Sequence, residues 1–259
     1  MSDASNPIAF DLAVVMPVYN EAECVSAIVE SWLEVLAAEG LRFRLIVLND
    51  GSTDATGEAL RRSAQDERVE IVTKQNSGHG PTILMGYRRA VELAAWVFQV
   101  DSDGEVPASE FPSLWSARAD RDAVFGVRTS RRQPAMRWVI TRASRLLVRL
   151  LYGVGVSDVN VPFRLMRAEV LASFLDAIPG DTFAPNVVIA GVFSRGGGSF
   201  ANVPVRHQER RTGRVSIIHW KLWKAAALAA MQTVRCRRLL RSRRISAADA
   251  ATNQGPSVR

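Results

Sequence analysis

The sequence predicts an α/β fold: a mostly parallel sheet flanked by helices. Two observations carry this. Apolar runs of strand length alternate with helical segments through the first hundred residues, in the order β-α-β-α-β-α-β. That order implies parallel strands joined by right-handed crossovers. Two of the runs also stop on carboxylates, Leu45-Ile46-Val47-Leu48-Asn49-Asp50 and Trp96-Val97-Phe98-Gln99-Val100-Asp101-Ser102-Asp103. Buried parallel strands read as continuous apolar runs, and open α/β sheets bind ligands outside the carboxyl ends of their strands. Three aspartates are therefore aimed at one crevice. That much negative charge is costly to desolvate unless a ligand or cation uses it.

The elements follow in order. Leu12 to Val18 is the first strand. Asn20 caps a helix, Glu23 completes a capping box, and Gly40 ends the helix after about Glu39. The second strand ends at Asp50, Thr53 or Asp54 caps the second helix, and Val69 to Thr73 is the third strand. Gly80-Pro81 opens a third helix, with the proline where a missing N–H costs nothing. The fourth strand ends at Asp101 and the fifth is Ala123 to Val127. An amphipathic helix over about Ala135 to Tyr152 places Val139, Ala143, Leu146 and Leu150 on one face and Arg142, Arg145 and Arg149 elsewhere. Arg195 to Ser199 is a glycine-rich turn and Phe200 to Val205 a late strand. Ile217 to Val234 is a second amphipathic helix, carrying Trp220 and Trp223, and the composition past about Ser242 suggests disorder. The expected division is a main domain over 8–215, a basic amphipathic helix over 216–240 and a tail over 241–259.

Charge is unevenly spread. The net charge is +7, yet residues 206–259 hold 13 Lys/Arg against 2 Asp/Glu, and residues 1–205 hold 20 against 24. A basic end of this kind either contacts an anionic surface or is simply solvated. Cys24 and Cys236 are the two cysteines, too few for a disulfide framework, and they suggest a reducing compartment. No basic stretch precedes an apolar one at Met1 to Asn6, so no signal peptide is expected. Ala225 to Met231 is far short of the ~20 apolar residues that cross a bilayer.

Asp-x-Asp after a strand suits a hard divalent cation, which takes oxygen ligands and often shares them with phosphates. The first strand ends in Pro17-Val18-Tyr19-Asn20-Glu21, so the G-x-G-x-x-G turn of a dinucleotide-binding fold is missing. A G-x-x-x-x-G-K-[ST] phosphate loop is missing too, and Gly196-Gly197-Gly198 lies outside any strand-to-helix turn.

P-V-Y-N-E, N-D-G-S-T-D, N-S-G-H-G and D-S-D-G-E, taken together, resemble the family-2 glycosyltransferases of the GT-A fold. Gly126-Val127-Arg128, Arg137 to Thr141, Asp158 to Arg164 and His207 to Ser216 resemble its dolichyl- or polyprenyl-phosphate sugar synthase branch. The likeness spans about residues 10–220. Glu105 stands where that branch often has Gln, Pro162 where it often has Gly, and Gly213-Arg214-Val215-Ser216 is one residue longer than its G-x-S-[KR] element.

The resemblance implies a GT-A Rossmann-like sheet with a C-terminal amphipathic helix. It implies an inverting, metal-dependent transfer of a sugar from a nucleotide-sugar donor to a lipid-phosphate acceptor. Pro17, Tyr19, Glu21 and Asp50 would line the base and ribose, and Gly78, Gly80, Asp101, Ser102, Asp103 and Arg210 would complete the donor site. Asp101, Asp103 and Glu105 would hold Mg²⁺ or Mn²⁺. Arg128, Arg137 and Thr141 would take the acceptor phosphate, with Arg128, Arg137 and Asp158 as catalytic residues. Several positions admit plainer readings: Asp50 as a turn cap, Tyr19 as a core residue, His79 as a surface residue, and Asp158 as the partner of a buried Arg164. Between Thr129 and Ser157 stand six arginines and no Asp or Glu, which points to anion or membrane contact.

Trp220, Lys221, Trp223 and Lys224, followed by the arginine cluster from Arg235 to Arg244, suit a helix lying on an anionic membrane surface. The expected place is the cytoplasmic inner face of the cell membrane, held peripherally. Two alternatives stay open: a same-fold transferase acting on a saccharide, protein or small molecule, and a non-catalytic basic protein binding lipid or nucleic acid. Asp50, Asp101 and Asp103 speak against the second, and a basic tail without interleaved aromatics does not suit nucleic acid.

Overall fold

The computed structural model describes residues 8–129, 146, 149–150, 155–195, 198–208 and 231–236. Seven strands form one sheet: β1 (Phe10–Val18), β2 (Phe43–Asp50), β3 (Val69–Lys74), β4 (Ala94–Val100), β5 (Ala123–Thr129), β6 (Phe163–Arg167) and β7 (Phe200–Arg206). Their order is β3-β2-β1-β4-β6-β5-β7. β1 pairs in parallel with β2 and β4, β2 with β3, and β5 with β7, while β6 runs antiparallel to both β4 and β5. The expected parallel half is therefore present, and one reversed strand joins it to β5 and β7.

β6 was not expected from the sequence. Arg164 interrupts its short apolar run, yet that arginine is fully buried. A cation in the middle of a strand masks the strand signal, because periodicity weighs apolar residues.

Helices cover both faces. α1 (Val25–Ala38), α2 (Thr56–Ser63) and α4 (Phe111–Ser116) pack on one face. Trp32 of α1 is the hub there, with ring centroids of Phe98, Phe111 and Phe163 at 5.4, 6.0 and 6.0 Å. α3 (His79–Val91), α5 (Ala168–Leu175) and α6 (Pro185–Ser194) pack on the other, around Val15, Leu48, Val97 and Phe125. Cys236, within the helical stretch 231–236, belongs to this second core.

Helix starts depart from expectation. α1 begins at Val25, with Cys24 as its cap and no side-chain capping bond. Asn20 instead sits at φ 54, and its side-chain oxygen accepts the Thr53 N–H at 2.8 Å. A tie between the loops after β1 and β2 has displaced the capping box. Asp54 behaves nearer to expectation, accepting the Thr56 N–H at 3.0 Å at the start of α2. α3 starts at His79, so Pro81 falls inside its first turn, where an N–H has no intrahelical partner. Of the two expected amphipathic helices, only 146, 149–150 and 231–236 lie among the described residues, and these are helical. No helix of the described residues is long and apolar enough to cross a membrane.

Candidate active site

The carboxyl ends of β1, β2 and β4 meet at one edge of the sheet, because these three strands are parallel neighbours. Tyr19 follows β1 and is exposed, Glu21 is buried, and Pro17 lies buried in the strand opposite Leu48. The Glu21 N–H donates to Thr56 Oγ1 at 2.8 Å, and its carboxylate lies 3.3 Å from Cys24 Sγ.

Asp50 ends β2 with its side chain 5% exposed. Its partner in register on β3 is Lys74, whose ammonium donates to Asp50 Oδ1. The Ser77 N–H reaches the same oxygen at 2.9 Å, and the Gly78 N–H reaches Oδ2 at 3.0 Å. Burial pushes the Asp50 carboxyl up, but the bonds from Lys74 and Ser77 and the Lys74 charge outweigh it and hold it below its ordinary value. Asp50 thus pins the β3–α3 loop. Gly78 makes the turn at φ 90, which a side chain would resist. Gly80 is needed for a different reason: a Cβ there would overlap the Thr182 and Phe183 carbonyl oxygens. The α3 start is therefore packed against the α5–α6 loop.

At the end of β4, Asp101 Oδ1 is covered and has no hydrogen-bond partner, although the side chain as a whole is 24% exposed. The exposed part therefore lies on the other side of the carboxyl group. His79 Nε2 stands 3.7 Å from Oδ1. Burial raises the Asp101 carboxyl above its ordinary value and the Glu105 charge adds to this; His79, Arg128 and Gln99 offset it only in part. Ser102 is buried, and Asp103 Oδ1 accepts the Glu105 N–H at 3.0 Å, closing the turn that Gly104 makes at φ 68. Glu105 Oε2 lies 3.1 Å from His207 Nε2, and its carbonyl accepts the Gln208 N–H at 2.8 Å.

A half-covered carboxylate that still opens to the crevice, beside a second strand-end carboxylate, fits a hard cation. Among the described residues no group of three or more His, Cys, Asp or Glu side chains converges as a ready-made ligand set. A cation held by Asp101 and Asp103 would complete its shell with water and substrate oxygens, the usual arrangement for Mg²⁺ beside phosphates.

Arg128 lies at the end of β5, with its side chain 4% exposed. It grips Asp158 with both arms, Nε to Oδ2 at 2.8 Å and Nη2 to Oδ1 at 3.1 Å. The alternative pairing of Asp158 with Arg164 is not the ion pair the structure makes. Arg164 spends its donors on the carbonyls of Val159, Val161 and Asn186, as a fully buried cation needs. Its charge acts on Asp158 and Asp101 through space.

Three contributors were given no role from the sequence: Lys74, Gln99 and His207, the last quoted only as the start of a motif. Lys74 was legible only through the β2–β3 register. His207 needed β7 to return beside β5. Gln99 was visible as the one polar residue of an apolar strand. Arg137, Thr141 and Arg210 lie outside the described residues.

The model for glycosyl transferase family 2 matches residues 13–175. An undecaprenyl-phosphate 4-deoxy-4-formamido-L-arabinose transferase of Edwardsiella ictaluri is 29% identical over 208 residues, covering 78% of this chain and 61% of that protein. Its counterpart in Pectobacterium carotovorum is 28% identical over 207 residues, with the same coverage of 78% and 61%. This chain thus spans about three fifths of the length of those relatives. Glucosyl-3-phosphoglycerate synthase from Mycobacterium tuberculosis, solved with Mn²⁺, UDP and phosphoglyceric acid, superposes with a TM-score of 0.64 at 19% identity, over 88% of this chain and 78% of that one. That likeness establishes the fold, and the GT-A architecture expected from the motifs is the one observed. With a family match across β1 to α5, the whole parallel half and the reversed strand beside it, this chain belongs to glycosyl transferase family 2.

Proposed function

We propose that this chain moves a sugar from a nucleotide-diphosphate sugar to a polyprenyl-phosphate acceptor, with inversion at the anomeric carbon. One observation carries the reading: Asp50, Asp101 and the Arg128–Asp158 pair stand along the same end of the sheet in a family 2 chain. The relatives' names specify a polyprenyl phosphate, which favours a lipid acceptor over a saccharide, protein or small molecule.

Pro17, Tyr19, Glu21 and Asp50 receive the base and ribose. Gly78, Gly80 and the α3 N-terminus face the diphosphate, where backbone N–H groups favour anions. Asp101 and Asp103 hold Mg²⁺ or Mn²⁺, with Glu105 beside them, and the bound cation supplies Lewis-acid assistance to the departing diphosphate. Arg210 adds positive charge on the donor side. Arg128, with Arg137 and Thr141, orients the acceptor phosphate. That phosphate is already ionised near neutral pH, so Asp158 acts by holding Arg128 in place. The basic C-terminal segment keeps the protein peripherally on the anionic inner face of the membrane.

The test is transfer of label from radiolabelled UDP- and GDP-sugars to undecaprenyl phosphate in detergent. The expected product is organic-extractable label that needs Mg²⁺ or Mn²⁺ and is released by mild acid, as a sugar joined to phosphate through its anomeric carbon is. Label released only as free sugar, or passed only to a saccharide, would overturn the lipid acceptor.

A further inference from the structure

β4 carries one polar residue within its buried run, Gln99, which is fully buried. Strand periodicity puts Gln99 and Asp101 on the same sheet face, the one α3 covers. Tyr87 of α3 is also fully buried, and its hydroxyl donates to Gln99 Oε1 at 2.7 Å. That bond orients the amide, with its oxygen toward α3 and its nitrogen away. Gln99 Nε2 then has no hydrogen-bond partner, and neither has the covered Oδ1 of Asp101. Gln99 nevertheless comes close enough to favour the ionised form of Asp101.

The surrounding layer is Val, Leu, Ile, Ala and Phe, apart from the buried Arg164 opposite Gln99. A Phe and a Leu would fill the space of Tyr87 and Gln99 with no polar group to satisfy, and such a swap is often neutral or stabilising. Packing alone therefore does not call for this pair. Arg164, opposite Gln99 in the β4–β6 register, has committed donors to carbonyls, so it contributes charge to Asp101. The buried neutral donor that favours the ionised form of that carboxylate is the Gln99 amide.

We propose that Gln99 is a positioning residue for Asp101. Held through its carbonyl oxygen by Tyr87, it presents its amide nitrogen to the covered oxygen of Asp101 and keeps the other oxygen toward the crevice for the divalent cation. The inference rests on the metal-dependent reading above and deepens it. Partners behind a metal ligand commonly change metal affinity roughly 10–100-fold when removed.

The experiment measures Mn²⁺ affinity in the presence of saturating UDP or GDP, by the electron paramagnetic resonance signal of free Mn²⁺. The full chain is compared with Tyr87→Phe, Gln99→Leu and the double variant. Nucleotide binding in EDTA and thermal melting are recorded alongside. Each single change should weaken Mn²⁺ binding about tenfold, and Tyr87→Phe should add nothing in the Gln99→Leu background. Metal-free nucleotide binding should stay unchanged. Tyr87→Phe removes one hydroxyl from a packed ring, so it keeps the test open if Gln99→Leu misfolds. Mn²⁺ affinities equal to the parent, with only the melting temperature lowered, would overturn the proposal and leave the function reading intact. A parent protein that binds no Mn²⁺ with either nucleotide would overturn both.

Discussion

The two strand-end aspartates carry opposite electrostatics. Asp50 is held ionised by Lys74 and two backbone N–H groups, while burial works against ionised Asp101. A carboxyl lowered on folding stabilises the protein above its unfolded pKa of about 3.9, and that contribution fades as pH falls through the folded value. Asp50→Asn should therefore cost ~1–3 kcal/mol at neutral pH, measured by urea melts, with the difference from the parent shrinking in acid. Asp101 has the reverse sign: its raised pKa weakens the folded state at neutral pH. In EDTA, Asp101→Asn should melt a few degrees higher than the parent, and with Mn²⁺ present it should lose metal-dependent nucleotide binding. A lower melting point would mean that the carboxylate is well solvated. At Arg128 and Asp158 the pair is bidentate and almost wholly covered. Removing one partner of such a pair leaves an uncompensated charge, at a cost of about 3–5 kcal/mol. Arg128→Ala should thus lose both stability and kcat/KM. Arg128→Lys should recover part of the stability and little of the rate, because lysine cannot make the two-armed contact.

Between elements, the contact that bears most on the site is the one between α3 and the α5–α6 loop. Thr182 and Phe183 carbonyls occupy the space a side chain at Gly80 would need. The same loop is tied to the C-terminal helical stretch, where Gln232 Oε1 accepts the Phe183 N–H at 2.7 Å and Thr233 is fully buried. Gly80→Ala should push the start of α3 away from this loop and disturb the Gly78–Asp50 bond behind it. Overpacking of this kind typically costs ~1–3 kcal/mol. The expected outcome is a lower melting temperature with a raised donor KM, checked by calorimetry and initial-rate kinetics. Donor KM unchanged at equal destabilisation would show that the first turn of α3 does not touch the donor.

For the whole molecule, the separation of charge is the leading property. The excess of positive charge lies in residues 206–259 and follows the tryptophan-bearing segment. Vesicle co-sedimentation should show binding to anionic lipid that weakens from low to high salt, because the attraction is screened within ~8–10 Å at ordinary ionic strength. Residual binding at high salt would come from Trp220 and Trp223. The truncation that tests the arginines alone belongs after Cys236, since that residue is fully buried in the core and a cut before it would damage the fold. Equal recovery on neutral and anionic vesicles would return the tail to an ordinary solvated end.

The sequence by itself determined the parallel half of the sheet, the strands β5 and β7, and the strand ends at Asp50 and Asp101. Continuous apolar runs ending on carboxylates are local signals, and four motifs in a row added the family. Tertiary structure alone decided the rest. β6 is a strand only because β4 and β5 flank it and α6 supplies a carbonyl to Arg164. Asn20 binds Thr53 in place of capping α1 because the neighbouring loop is within reach. Asp158 pairs with Arg128, thirty positions away, although Arg164 lies far nearer in sequence. In each case the deciding partner comes from another strand or loop, and short-range propensity holds no record of such partners.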